Sequence, residues 1–226
     1  MLRGIAILLM VTFHVIFNME VFFGYDFGYM EGFWYYLGRI AAILFILLVG
    51  VASSIITSRY SRKEAARKNI KRGLKLIGFG LLITLITRLL DPANTIWFGI
   101  LHFLGVSILI TIPLARLKEL NLLLGSILLA AHYQVIKIQT GSYLGILFGI
   151  YPPTFQTYDH YALIPWLGYV LFGIALGNYL YPKGENLIKR DPNRPEKALT
   201  LTGRYSLWVY LIHQPVLMGL LWLILK

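Results

Sequence analysis

The run IAAILFILLVGVASSIIT, Ile40–Thr57, is followed at once by SRYSRKEAARKNIKRGLK, Ser58–Lys75. The first stretch carries no charge over 18 residues, long enough for a helix rising 1.5 Å per residue to cross most of a ~30 Å hydrocarbon layer. The second carries eight basic residues, the flank expected on the cytoplasmic side of a span. Working outward, similar apolar runs recur, and we expect spans near 4–23, 33–57, 73–90, 97–115, 120–137, 161–181 and 203–225. The composition agrees: of 226 residues, 58% are hydrophobic and only 14% charged, with a mean hydropathy of +0.68. In lipid the backbone must satisfy its own polar groups, so the expected fold is all-α, a polytopic transmembrane helical bundle of about seven spans.

Charge sets the expected orientation. With the N-terminus cytoplasmic, the inner segments hold Arg3, the eight residues from Arg59 to Lys75, Arg116 with Lys118, and the six from Lys183 to Arg204. Of 21 basic residues that leaves Arg39, Arg88, Lys137 and Lys226 toward the outside. The net charge of +11 is thereby explained by topology and anionic inner-leaflet lipid, and calls for no nucleic acid. Arg3 ahead of an apolar stretch resembles a signal peptide, but Phe22-Phe23-Gly24-Tyr25-Asp26 offers no small-x-small cleavage site, so the first run is read as a retained helix. The chain is read as one transmembrane domain, 1–226, with a basic cytoplasmic loop at 58–72, an outer loop at 139–160 containing an interfacial or re-entrant piece, and a cytoplasmic linker at 182–202 marked by Pro192 and Pro195. The expected location is the cell membrane, as a multi-pass protein.

Chemistry is sought among ionisable groups at membrane depth, where each costs ~2.5–3.5 kcal/mol on insertion scales. His14 lies eleven residues past Arg3, ~16 Å in, with Asn18 at i+4 on the same face. Such a pair suits an imidazole general base held in one tautomer. His213 lies nine residues past Arg204, with Gln214 and Pro215 beside it, and Pro215 suggests a locally opened stretch. Arg39, six residues inside the second span, could clamp an anionic or carbonyl group. Arg88 can snorkel outward, His102 enters the fourth span, and Asp159 is placed to cap the sixth. Each has a structural reading beside the functional one: buried packing for the histidines, anchoring for Arg88 and capping for Asp159. Cysteine chemistry is excluded by the absence of cysteine, and five scattered histidines argue no metal site. No Walker A, GxSxG or HExxH motif is present. Read without a relative, midplane histidines and an arginine suit a membrane transferase and a proton-coupled carrier alike, although no internal repeat supports the carrier.

Several strings together narrow the choice. Leu2-Arg3-Gly4-Ile5-Ala6-Ile7 with Phe13-His14, then Gly38-Arg39, then Phe98-Gly99-Ile100-Leu101-His102, then Asp159 with Pro165-Trp166-Leu167-Gly168, and Gly203-Arg204-Tyr205-Ser206-Leu207 running to His213-Gln214-Pro215, resemble the DUF1624 family. That family is related to the catalytic domain of heparan-alpha-glucosaminide N-acetyltransferase and, more remotely, to other membrane acyltransferases. The resemblance implies transfer of an acyl group from cytoplasmic acetyl-CoA, or another acyl-CoA, to a hydroxyl or amine acceptor toward the outer face, with His14 at the position of a first-helix histidine. On that reading His14, Asn18, Arg39 and His213 are the catalytic candidates. Arg62, Lys63, Arg67, Lys68 and Arg72 would hold the CoA phosphates, and His102, Asp159, Trp166 and Gln214 are the candidates for substrate contact. The resemblance implies a small-molecule donor and acceptor as partners; beside it, the expected partners are the bilayer and, in a homodimer, a second copy of the chain. The chain departs from its relatives in the short lead before Leu2-Arg3-Gly4 and in its length, so acceptor identity is not carried over.

Overall fold

The computed structural model describes residues 1–138, 142–182 and 193–225, and these are all-helical. In order, α1 is Leu2–Phe23, α2 Gly32–Arg59, α3 Arg62–Leu90, α4 Ile100–Leu114, α5 Leu120–Val135, α6 Leu163–Leu180, α7 Arg194–Arg204 and α8 Ser206–Leu225. Short 3₁₀ turns occupy Pro92–Asn94 and Tyr143–Phe148. Five helices, α1, α2, α3, α6 and α8, are long and apolar enough to cross a membrane. With 15 and 16 residues, α4 and α5 are apolar but shorter, ~22–24 Å at 1.5 Å per residue.

Two compact units divide the chain: Met1–Phe45 with Lys189–Lys226, and Ile46–Ile188. The first unit holds α1, the N-terminal half of α2, α7 and α8. Its tightest crossing joins α1 to α7, where a Cβ on Gly4 would strike the Leu199 backbone and one on Gly203 would meet Gly4 N. Both glycines belong to strings that carried the family resemblance, and packing is what they do here. Close backbone approach through small residues is how helices associate where lipid removes the hydrophobic drive. Gly24 then ends α1 in the left-handed region at φ 77°, which an L side chain rarely adopts.

The second unit repeats that solution. α3 and α4 cross at Gly73 and Gly105, and α5 and α6 at Gly125 and Gly168; a Cβ on any of the four would meet the backbone oxygen of its opposite number. α2 and α6 approach through Gly50 and Gly173. The core between them is Ile46, Phe103, Leu104, Ile108, Val170 and Ile174, each almost fully buried.

Three expectations change. The basic stretch expected as a loop at 58–72 is helical: only Tyr60 and Ser61 separate α2 from α3, because Ser61 and Glu64 form a reciprocal capping box that starts α3 at Arg62. The described part of the expected 182–202 linker is also helical, with Asn193 and Glu196 forming the same device and Pro195 in the first turn of α7; residues 183–192 of that linker lie outside the described ones. Helix α8 runs unbroken through Pro215, so the opening expected around Tyr210–Pro215 does not occur. In the outer loop at 139–160, Tyr143–Phe148 forms a 3₁₀ turn, and residues 139–141 lie outside the described ones.

Candidate active site

In the first unit two imidazoles from separate helices meet. The rings of His14 on α1 and His213 on α8 are 4.7 Å apart between centroids and inclined at 73°. Each is fastened to its own helix. His14 Nδ1 lies 2.8 Å from Met10 O, four residues back, and His213 Nδ1 lies 2.5 Å from Tyr210 O, three residues back. A carbonyl oxygen can only accept, so in both rings Nδ1 carries the hydrogen, and in the neutral imidazole Nε2 is left with its lone pair. Nε2 of His213 is buried and has no hydrogen-bond partner among the described residues. Two Nε2 lone pairs can be satisfied together only by a proton or proton donor from elsewhere. That is the arrangement of a base awaiting an O–H or N–H.

Beside the rings, Asn18 Nδ2 donates to Gln214 Oε1 at 2.8 Å, tying α1, a turn beyond His14, to α8 at the residue after His213. The i, i+4 spacing places Asn18 on the face of His14 as expected, but Asn18 fixes Gln214; the tautomer of His14 is set by Met10. Asn18 is fully buried, and its Oδ1 has no partner among the described residues. Phe13 and Phe17 stand edge-on to the His14 ring at 5.5 and 6.1 Å, and Tyr29 packs on both phenylalanines. Arg39, also in this unit, is exposed on α2, with its guanidinium 5.0 Å from the centroid of the Tyr35 ring.

A profile of the family described as heparan-alpha-glucosaminide N-acetyltransferase, catalytic, matches residues 1–215. The chain belongs to that family. No curated protein and no solved structure gives a significant match to it. Membership in this acetyltransferase family gives the imidazole pair a chemical context, since a free imidazole lone pair is what activating an acceptor for acetylation requires.

The other sequence candidates lie in the second unit. Arg62, Lys63, Arg67 and Lys68 are exposed on the first turns of α3, and the half-buried Arg72 donates to Asn69 Oδ1 at 3.4 Å. Lys68 Nζ sits 4.1 Å from the centre of the Tyr60 ring. Clustered cations at a helix N-terminus suit phosphate oxygens, so this donor set fits the polyphosphate portion of acetyl-CoA, the co-substrate that an acetyltransferase of this type implies.

His102 is buried on α4 against Gly80 of α3, where a Cβ would strike its ring, and its Nε2 lies 3.4 Å from Thr84 Oγ1. Asp159 was expected to cap the sixth helix; it serves α4 instead. Its Oδ2 accepts from Ile100 N at 2.8 Å, while α6 has Ala162 at its start and no side-chain cap. This anchor also explains why Trp97–Gly99 are not helical although the apolar run begins at 97: a Cβ on Gly99 would collide with the Asp159 carboxylate, and the helix starts where that carboxylate receives the first free N–H. Burial pushes the Asp159 carboxyl up to about 6 against the lowering effect of the Ile100 N–H. Burial also holds the neighbouring His160 imidazole down at about 4, although its Nε2 lies 3.1 Å from Ile146 O. Trp166 is buried in α6 between Tyr161 and Tyr169.

Sequence reasoning did not anticipate the contact of Tyr158 with Asp91. The hydroxyl donates to Asp91 Oδ2, which with Asn94 holds the carboxylate below its usual range. Arg88, only three residues from Asp91, therefore does not pair with it; it donates to Pro92 O at 3.2 Å and lies 5.9 Å from the centroid of the Trp97 ring.

Proposed function

We propose that this chain is an integral membrane acetyltransferase that takes an acyl group, acetyl in the first instance, from acyl-CoA on the cytoplasmic side and delivers it to a hydroxyl or amine, such as that of a sugar, toward the outer face. The arrangement carries α4 and α5 as spans alongside the five longer helices, seven in all, with the N-terminus, the start of α3 and the segment 182–202 on the cytoplasmic side and 139–160 outside. This orientation rests on the distribution of basic residues.

The observation that carries the reading is the pair of imidazoles with Nδ1 spent on backbone carbonyls and Nε2 free, in a chain of this family. His14 Nε2 accepts the proton of the acceptor hydroxyl or amine and later returns it to the departing sulfur. Bound acetyl-CoA supplies an activated thioester. Asn18 and Gln214 hold α1 to α8, so that the two rings keep their separation. A neutral His213 presents only a lone pair, so the donor to the carbonyl oxygen is Arg39 or a protonated His213. Arg62, Lys63, Arg67, Lys68 and Arg72 are assigned to the CoA phosphates, and His102, Asp159, Trp166 and Gln214 to substrate contact. The localisation that follows is a multi-pass protein of the cell membrane.

The test uses purified full-length chain in lipid vesicles with acetyl-CoA and a panel of hydroxyl and amine acceptors, scoring release of the CoA thiol. Wild-type protein releases thiol only when an acceptor is present, and His14→Ala, inserted and folded as judged by its thermal transition, does not. Undiminished turnover in His14→Ala would remove the assignment. Solute flux through wild-type vesicles without any acyl donor would replace the transferase with a carrier.

A further inference from the structure

The second unit contains a cavity of about 490 Å³ at the C-terminal end of α3, a volume in the range of small-molecule sites. Its walls are chiefly apolar and aromatic: Trp97, Phe98, Ile146, Leu147 and Phe155 line it, with Tyr143 at the 3₁₀ turn. Among the described residues, its one charged lining residue is Arg88. A guanidinium has five N–H donors, and Arg88 spends one on Pro92 O while its face lies over Trp97; it makes no ion pair among the described residues. The nearest carboxylate in sequence, Asp91, is engaged by Tyr158, Asn94 and Ala93 N. A cation with unspent donors thus overlooks an apolar cavity.

The surroundings indicate what reaches it. Leu89 and Leu90, next to Arg88, are 74% and 81% exposed, and Leu144, next to Tyr143, is 83% exposed. Leu89 and Leu90 end a helix that reads as a membrane span, where such side chains face acyl chains. A soluble polar ligand would need convergent hydrogen-bonding groups, and apart from Arg88 the side chains that the described walls offer are Thr154, Gln156, the Tyr143 hydroxyl and the Trp97 indole N–H, set among apolar ones. An uncharged lipid would leave the exposed guanidinium to water.

We propose that this cavity binds an anionic amphiphile, a membrane lipid with a phosphate or carboxylate in its head, with Arg88 on the anionic group and its chain against Trp97, Phe98, Ile146 and Phe155. The site is independent of the imidazole pair and of the acetyl-transfer reading. Arg88 is therefore more than an anchor.

The experiment adds phosphatidylglycerol, phosphatidylcholine of the same chains, or glycerol 3-phosphate to the full chain in uncharged detergent and follows thermal unfolding. Wild-type protein responds to phosphatidylglycerol at about tenfold lower concentration than to phosphatidylcholine, the worth of one charge-assisted contact. Arg88→Gln loses the preference. Lys137→Gln, which removes an exposed cation that does not line the cavity, keeps it. Equal response to the two lipids in wild type, or loss of the preference in both variants alike, overturns the proposal. A full response to glycerol 3-phosphate alone reduces the site to an anion pocket and overturns the amphiphile. Should Arg88→Gln not fold, brominated acyl chains give a second readout: brominated phosphatidylglycerol quenches wild-type fluorescence more than brominated phosphatidylcholine, and Trp97→Phe abolishes that increment. An increment that survives in Trp97→Phe refutes the site.

Discussion

The histidines of the two units are the same residue under opposite treatment. In the first unit, His14 and His213 turn Nδ1 back onto carbonyls of their own helices, so each ring is oriented locally and Nε2 is left over. In the second, His102 and His160 are bonded at Nε2 to groups from elsewhere in the chain, Thr84 Oγ1 for His102 and Ile146 O for His160. A ring held by its own helix can present a lone pair to a visitor. A ring whose outer nitrogen is tied to a distant segment holds structure together instead. On the proposed reading, proton transfer falls to the first pair, and His102 and His160 are held in place by the rest of the chain.

The largest effect separates them by activity. His14→Gln, which keeps an amide of similar reach but no basic nitrogen, is expected to lower kcat by about a hundred- to ten-thousandfold, the usual worth of a general base, with little change in the thermal transition. His213→Gln should fall in the same direction. Retention of kcat within a few-fold in both would dissolve the distinction, because free Nε2 lone pairs would then have no chemical use.

Next come variants that disturb the supports of the first unit. Gly4→Val pushes a branched side chain into the Leu199 backbone and should destabilise the chain by about 3 kcal/mol or prevent folding, whereas Gly78→Ala, which meets open space, serves as the mild control. The Asn18 to Gln214 bond is smaller. Gln214→Met leaves a fully buried amide without its acceptor and is expected to cost about 1–3 kcal/mol in thermal unfolding. If kcat falls further than stability explains, Gln214 also serves the reaction, by keeping the rings in place or by touching substrate. A variant indistinguishable from wild type would mean that the amide finds water.

Much of the helical plan was legible because apolar runs, basic flanks and capping signals are local: α1, α2 and α8 lie within a few residues of the runs that announced them. Two of the misjudged places share a cause. Ser61 and Glu64, like Asn193 and Glu196, turn segments that read as polar loops into helix starts, and a capping signature is easily passed over amid charges. Asp159 lies 59 residues from the N–H it receives, a separation that periodicity cannot bridge. Within the site, the residue types of His14 and His213 were readable, and so was the shared face of Asn18. Which atom of each ring is committed was not, because this depends on rotamers chosen by packing.

The smallest effect is one of pH, and it tests the structural side of the comparison. Asp159 and His160 are neighbours whose protons are displaced in opposite directions by the same burial. With its carboxyl raised from 3.8 to about 6, Asp159 binds more protons folded than unfolded between those values, so its contribution is full at low pH and declines as pH rises through that window. His160, lowered from 6.5 to about 4, binds fewer protons folded, so its contribution is full above pH 6.5 and declines as pH falls toward 4. Across about pH 4 to 6 the two slopes oppose each other, and together they contribute little pH dependence. Each single variant should uncover the other slope. Asp159→Asn keeps an oxygen for Ile100 N and removes the charge, leaving a protein that loses about 1–2 kcal/mol relative to wild type as pH falls through the window. His160→Gln should show the reverse, losing stability relative to wild type as pH rises. Thermal transitions of the three proteins from pH 4 to 7 decide it: curves that diverge at opposite ends place both groups in one buried cluster, and parallel curves mean that water reaches at least one of them.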